Sequence, residues 1–545
     1  MEDKPSIAAY LIERLYAAGV RHVFGVPGDY VLGFLHRLAH SPLQVINTCD
    51  EQGAGFAADA YARLHGLSAV CVTYCVGGLK IANTTAQAFA EKSPVVVISG
   101  APGTSERVKN PLLHHRVRDF DTQLKVFEQP TVAATVLNDA QTAYREIDRV
   151  LTAALRYKRP VYIELPRDMV SAPGLPAHTP VAGQEASDAN ALRESLADAA
   201  QMINTARQPV LIAGVELHRF GLQDELVRLI ETLSLPTAAS IQSKSVLAEH
   251  HPLFLGIYEG AIGYEDVRAY VESSDCVILL GAFMSDIDLG IDTARLDQGR
   301  SISVTSEKTT IRYHSYEHIR LDEFMSGLFS AGIRRRDPGP IPHPTPPAPF
   351  TVTPGQALTV RRLFQRLNSF LDDETVVIAD PGDALFAGVD LFIQSRTEFL
   401  SPAYYTSLGF AVPASLGVQL ANPKLRPLVL VGDGAFQMTG MELATVARFQ
   451  LTPIVVVLNN RGYGTERSMQ DGSFNDVLLW RYSRIPELLG AGKGFDIHTE
   501  DELDAALHAA RTYTGGFSIL DVHLDPKDCS PALQRMTDSL RKRVR

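Results

Sequence analysis

LVLVGDGAFQMTGMELATVARFQLTPIVVVLNN, residues 428–460, decides the fold. Leu428 to Val431 is a short apolar run that stops at a glycine. Residues 440–449 have helical periodicity, and residues 454–458 form a second β-type run that stops at two asparagines. Strand, helix and strand in that order predict a βαβ unit of a parallel sheet. Ligands of such sheets bind beyond the carboxyl ends of the strands. Asp433 and Asn460 are therefore expected side by side at one rim. Gly-Asp-Gly alone is a common tight turn, and Asn-Asn a common loop. Placed at two strand ends of one unit, a carboxylate and an amide oxygen suit Mg²⁺, with phosphate oxygens completing its shell.

A chain of 545 residues is expected to hold about three domains. Apolar residues make up 45% and charged residues 21%, ordinary values for a globular protein. The net charge of −11 argues against a nucleic-acid partner, which needs a basic face. The basic runs at residues 334–336 and 541–545 read as solvated ends of segments. The five cysteines are irregularly spaced and imply no disulfide framework. Cys71 and Cys75 lie in a strand-like run and read as buried thiols. The N-terminus runs straight into an amphipathic helix without a signal-peptide pattern. With no apolar stretch of about 18 residues, the expectation is a cytoplasmic protein with no membrane partner.

Two proline-rich breaks, residues 171–188 and 337–355, read as interdomain linkers. Before the first, helices are predicted at 7–18, 32–39, 53–64, 79–91 and 140–156. Strands are predicted at 22–24, 44–47, 69–74, 95–99 and 161–165. Between the breaks, strands are predicted at 210–213, 276–280 and 302–304. After the second come strands at 376–379, 428–431, 454–458 and 517–523. The alternation predicts α/β architecture: three doubly wound parallel-sheet domains at 1–175, 189–336 and 356–545, with 337–355 as linker. No G-x-G-x-x-G follows the first strand of the middle segment, which argues against a dinucleotide site there. Residues 490–494 lack the spacing of a phosphate-binding P-loop.

Chemistry-bearing residues also stand at strand ends and loops of the first segment. Asp29 follows the strand at Val23, in GVPGDY, where a helix N-cap is the plain alternative. Glu51 follows the second strand, in CDEQGAGFAADAYAR, and also reads as the acidic first turn of a helix. His114 and His115 lie in a long irregular stretch.

In combination, VFGVPGDY, CDEQGAGFAADAYAR, VTYCVGGL, AEKSPVVVISGAPGT, the histidine pair, GDGAFQMTG and LNNRGYGTE resemble the thiamine-diphosphate-dependent 2-keto acid decarboxylases. The closest branch is that of the indolepyruvate and phenylpyruvate decarboxylases, and the resemblance spans nearly the whole chain. It implies that the first domain binds the cofactor's aminopyrimidine and the third its diphosphate through Mg²⁺. By the same resemblance, Asp433, Asn460 and the carbonyl of Gly462 are the metal ligands, and Glu51 contacts the pyrimidine ring. Asp29, His114, His115 and Glu466 are the acid–base set. Thr73, Asp383, Thr406, Leu408, Gly432, Gly434, Ala435 and Tyr463 line the cofactor. Glu51 is expected to be held protonated, helped by the apolar helix that follows it. Leu408 stands where the family wedges an apolar residue beneath the cofactor.

The sequence departs from close relatives at Thr406, commonly glycine, and at Arg461. Leu385 and Thr465 replace the larger tryptophan and isoleucine of pyruvate-specific members. With Met469 they imply a pocket for aromatic or branched substrates. The family builds its site between two subunits, so a homodimer is the expected minimum and a homotetramer the usual assembly. An acetolactate-synthase-like carboligase is the alternative, but it typically lacks the paired histidines and the glutamate at Glu466.

Overall fold

The computed structural model describes residues 5–174, 186–394 and 398–544, with side chains to residue 538. Most of the first proline-rich break, and the side chains of the basic tail, lie outside the described residues. The predicted apolar runs form buried strands. The first sheet comprises β1 (His22–Gly25), β2 (Gln44–Asn47), β3 (Ser68–Val72), β4 (Val95–Ala101), β5 (Ala134–Val136) and β6 (Val161–Pro166), in the order β2-β1-β3-β4-β6-β5. All of its pairings are parallel.

The second sheet holds β7 (Pro209–Ala213), β8 (Thr237–Ala239), β9 (Phe254–Ile257), β10 (Cys276–Leu280), β11 (Ser301–Val304), β12 (Thr309–Ile311) and β13 (His314–Tyr316). Its order is β13-β12-β11-β10-β7-β8-β9. This sheet is mostly parallel, as expected, with an antiparallel extension at one edge where β11, β12 and β13 pair. Only residues 305–308 join β11 to β12. That connection is too short for a crossover, so the chain turns back on itself.

The third sheet contains β14 (Thr375–Ala379), β15 (Phe399–Leu400), β16 (Arg426–Gly432), β17 (Ile454–Asn459), β18 (Lys493–Ile497) and β19 (Ser518–His523). It is parallel throughout, in the order β15-β14-β16-β17-β19-β18. The βαβ unit of residues 428–460 lies at its centre, where β16 and β17 pair directly.

Three sheets do not give three separate compact units. One unit comprises Met1–Gln184, Val412–Leu425 and Thr439–Leu451; the other comprises Glu185–Ala411, Arg426–Met438 and Thr452–Arg545. The second and third sheets share one continuous apolar core, from Leu211 and Ile278 to Val377, Leu430 and Val456. The proline-rich segment 337–355 is irregular, as its missing N–H groups and fixed φ require. It is tied to its own unit by Thr353, whose N–H donates to Glu500 at 2.9 Å. The run at 334–336 is not simply solvated: Arg336 donates to the carbonyls of Asn204 and Ala206.

All five cysteines are free, and Cys71 and Cys75 are buried. Among the described residues no helix is long and apolar enough to cross a membrane.

Candidate active site

In the larger unit, a cavity of about 310 Å³ opens at the carboxyl ends of β14, β16 and β17. Asp433 follows β16 and starts the helix Asp433–Thr439. Its side chain is fully buried. Oδ1 accepts the Gly434 N–H at 2.7 Å, and Oδ2 accepts the Gly462 N–H at 3.1 Å. Burial pushes this carboxyl up to about 6, against the lowering by those backbone N–H groups.

The two asparagines divide their work. Asn459 Nδ2 donates to Asp521 at 2.8 Å, into the sheet. Both side-chain oxygens are buried without a hydrogen-bond partner, but only Asn460 lines the cavity. An orphaned buried acceptor costs about 1–3 kcal/mol unless something satisfies it. Asp433 does not itself line the cavity, but its carboxylate is buried at the end of the strand paired with β17, and a carboxylate and an amide oxygen together suit a hard oxygen-seeking cation.

The backbone is shaped to admit a ligand here. Gly462 has φ +144, and a Cβ on it would lie 2.0 Å from the Asn475 carbonyl oxygen. A Cβ on Gly434 would strike the Tyr463 ring at 2.6 Å, whereas one on Gly432 would meet no protein atom within 4 Å. Gly432, Gly434, Ala435, Gly462 and Tyr463 all line the cavity.

Thr406, Leu408, Asp383, Thr465 and Glu466 line it too. Leu408 is half-buried, so it is a wall of the cavity and not a core residue. Thr406 takes φ +56, the left-handed region that favours glycine. Asp383 Oδ2 accepts the Ser530 N–H at 2.9 Å, while Oδ1 is buried and unpartnered. Burial raises this carboxyl to about 6.

Leu385 is 1% exposed in the apolar core and does not line the cavity, which instead meets Phe386. Met469 is half-buried and not among the lining residues. Arg461 is exposed at φ +66, and its carbonyl accepts a hydrogen bond from Arg467 at 2.9 Å.

Sequence reasoning missed Asp380, at the end of β14. It is fully buried, and its carboxylate accepts the N–H groups of Gly409 and Phe410 at 3.0 Å and of Ala411 at 3.2 Å. It therefore holds the turn that carries Leu408. Its only trace in the sequence is an acid directly after an apolar strand.

In the other unit, Glu51 opens the helix Glu51–His65, capped by Asp50, which accepts the Gln52 N–H at 2.8 Å. Glu51 is 9% exposed. Its surroundings are not purely apolar: the Lys80 ammonium lies 2.8 Å from Oε2, an arrangement the apolar helix gave no reason to expect. Thr73 stands at the end of β3, with its hydroxyl buried and unpartnered.

Glu442 was also missed. Its buried carboxylate accepts the N–H groups of Cys49 at 3.2 Å and Asp50 at 3.0 Å, fixing the loop that presents Glu51. A Cβ on Gly53 would lie 2.2 Å from Glu442 Oε1. Gly53→Ala is therefore expected to lower stability by about 1–3 kcal/mol through displacement of that carboxylate, read as a drop in Tm by calorimetry.

The structure brings the expected acid–base residues of this unit into contact. A His114 ring nitrogen lies 2.6 Å from Asp29 Oδ2. The His114 ring stacks on Tyr30 at 4.7 Å, and His115 meets both rings edge-on. His115 has φ +65, and its Nδ1 is buried without a partner. Burial acts to raise the Asp29 carboxyl, but its hydrogen bond to His114 and both imidazoles hold it below the usual carboxylate range.

The chain belongs to the thiamine-diphosphate-dependent 2-keto acid decarboxylases. Three family models match it. The thiamine pyrophosphate enzyme N-terminal binding domain covers residues 5–123, the central domain residues 196–321, and the C-terminal binding domain residues 384–522. Among curated proteins, the chain is 35% identical to an indole-3-pyruvate decarboxylase of Azospirillum brasilense, over 98% of each chain. It is 34% identical to an alpha-keto-acid decarboxylase of Mycobacterium leprae, over 98% of this chain and 95% of that protein. A pyruvate decarboxylase of Neurospora crassa is 31% identical over the same shares.

Proposed function

We propose that this enzyme decarboxylates an aromatic or branched 2-keto acid without oxidation, releasing an aldehyde and CO₂. The reading is carried by the orphaned Asn460 Oδ1 in a cavity walled by Leu408, Thr465 and Phe386, with Asp433 buried at the end of the neighbouring strand. Asp433, Asn460 and the Gly462 carbonyl would hold Mg²⁺, which anchors the diphosphate of thiamine diphosphate. When bound, the cofactor supplies the electron sink that lets a 2-keto acid lose CO₂.

The chain's own residues orient and move protons. Glu51 offers its carboxyl to the pyrimidine ring, and Thr73 and Asp383 offer unpartnered polar atoms. Asp380 fixes the turn at Leu408, which shapes the cofactor's seat. The Asp29–His114–His115 group and Glu466 are the acid–base set: one member protonates the carbon that lost CO₂ and another takes the proton from the product hydroxyl. Thr465 is small, and its space admits more than a methyl group. Leu385 stays in the core next in sequence to the cavity-lining Phe386, and Met469 ends the helix that carries Glu466. Residues 1–175 form the pyrimidine domain, 189–336 the middle domain and 356–545 the diphosphate domain, with 337–355 as the linker. A homodimer is the minimum unit, assembling to a homotetramer.

Chelation and dialysis to remove cofactor and cation are expected to abolish CO₂ release, and readdition of both to restore it. Full activity of stripped protein would sink the mechanism. Comparing kcat/KM for pyruvate, 2-ketoisovalerate, phenylpyruvate and indolepyruvate tests the substrate class, and a preference for pyruvate overturns it. Acetolactate formation from pyruvate as the main activity would favour the carboligase.

A further inference from the structure

The carboxyl edge of β18 and β19 carries a second group of chemistry-bearing side chains. β18 pairs parallel with β19, and Asp496 stands directly opposite Asp521. His523 follows two residues later at the end of β19, and His498 two residues after Asp496, directly beyond β18. Residues i and i+2 share one face of a sheet. Two carboxylates and two imidazoles therefore form a two-by-two array on one face.

The side chains converge as that register requires. The imidazoles of His498 and His523 stack face to face at 4.0 Å, with planes 8° apart. Both turn Nε2 towards the same carboxylate: His523 lies 2.7 Å from Asp496 Oδ1, and His498 lies 3.7 Å from Oδ2. One donor atom from each of Asp496, His498 and His523 lies within 4.8 Å of the other two. Like charges directly opposite on neighbouring strands repel. Asp521 is buried and cannot turn away, because it accepts hydrogen bonds from Asn459 and from the Tyr482 N–H at 3.1 Å. The backbone of His498 is equally fixed: its N–H donates to Glu502 at 2.7 Å, and its carbonyl accepts the Leu358 N–H at 3.1 Å.

We propose that Asp496, His498 and His523 form a binding site for a divalent transition-metal cation of the Zn²⁺ type, separate from the Mg²⁺ seat at Asp433. The chemistry separates the two. Two imidazole nitrogens and a carboxylate favour Zn²⁺, Co²⁺ or Ni²⁺, whereas Mg²⁺ prefers oxygen ligands. Donors around a tetrahedral ion with bonds of about 2.0–2.1 Å stand about 3.4 Å apart. That spacing falls between the two observed contacts, and binding requires the stacked rings to tilt apart so that both Nε2 lone pairs meet one ion. A bound cation would neutralise the Asp496–Asp521 repulsion and staple β18 to β19 at the edge of the third sheet. Asp521 in turn anchors Asn459, the neighbour of Asn460.

The test uses holoenzyme saturated with thiamine diphosphate and Mg²⁺, titrated with Co²⁺ and followed by its visible absorption, with Zn²⁺ as competitor. One equivalent of Co²⁺ is expected to bind and to be displaced by Zn²⁺. His498→Ala and His523→Ala should each weaken it about tenfold or more, and the double variant should abolish it. Keto-acid turnover before Co²⁺ addition checks that the His498 and His523 variants are folded, and circular dichroism does so for the His114/His115 variant. The Asp29–His114–His115 group is the competing donor set, so His114→Ala/His115→Ala must retain the binding. Unchanged binding in the His498/His523 double variant, or loss only in the His114/His115 variant, overturns the proposal.

Discussion

Asp433→Ala is expected to abolish keto-acid turnover at ordinary Mg²⁺ concentrations while leaving the fold intact. Asp433 is the charged member of the proposed cation set, and its carboxylate also receives the N–H groups of Gly434 and Gly462. Losing a group that only orients a metal ligand typically costs 10–100-fold in affinity. Losing the anionic ligand itself should cost more than about a hundredfold. Asp433→Asn separates the contributions, because it keeps the volume and an acceptor oxygen but removes the charge. If charge dominates, Asn and Ala variants are similarly impaired, and raised Mg²⁺ partly rescues both. The measurement is turnover against Mg²⁺ concentration, and a wild-type Mg²⁺ dependence in Asp433→Ala would remove the residue from the site.

The same carboxyl gives a pH dependence. Burial raises it to about 6 in the absence of a cation. The cation needs the ionised form, so protons compete with it below that pH. Apparent Mg²⁺ affinity is therefore expected to fall by about tenfold per pH unit below 6 and to be flat above it.

Glu51→Gln is expected to lower kcat by about 10²–10⁴-fold, the range of a lost acid–base group. Melting temperature should change little. Among the described residues, the ion pair it breaks joins Oε2 to a Lys80 side chain that is 47% exposed, and such pairs contribute about 0–1 kcal/mol. The split between rate and stability is the diagnostic. A near-wild-type rate would show that Glu51 does not serve the pyrimidine ring, and a large fall in Tm would make the lost activity a folding effect.

Much of this was legible in the sequence because it depended on local pattern. Apolar β-branched runs placed β14, β16 and β17 within a residue or two, the last two ending in glycine and asparagine. Chain order and spacing made them parallel, and the rule that ligands bind beyond strand ends put Asp433 and Asn460 at one rim. Short edge strands such as β5, β13 and β15 escaped, because two or three residues carry no periodicity.

What only the tertiary structure decided concerns long-range partners. No local pattern tells a carboxylate which amides it will meet, so Glu442 and Asp380 were invisible as supports of the Glu51 loop and the Leu408 turn. Burial depth likewise depends on packing from distant segments. It placed Phe386 at the cavity, kept Leu385 in the core, and set Lys80 against Glu51. Residues 428–460 by themselves determined a sheet rim with a carboxylate and an amide oxygen. Folding decided that Asn459 donates inward to Asp521 while Asn460 meets the cavity, because neighbouring residues on a strand face opposite ways and only one face lines it.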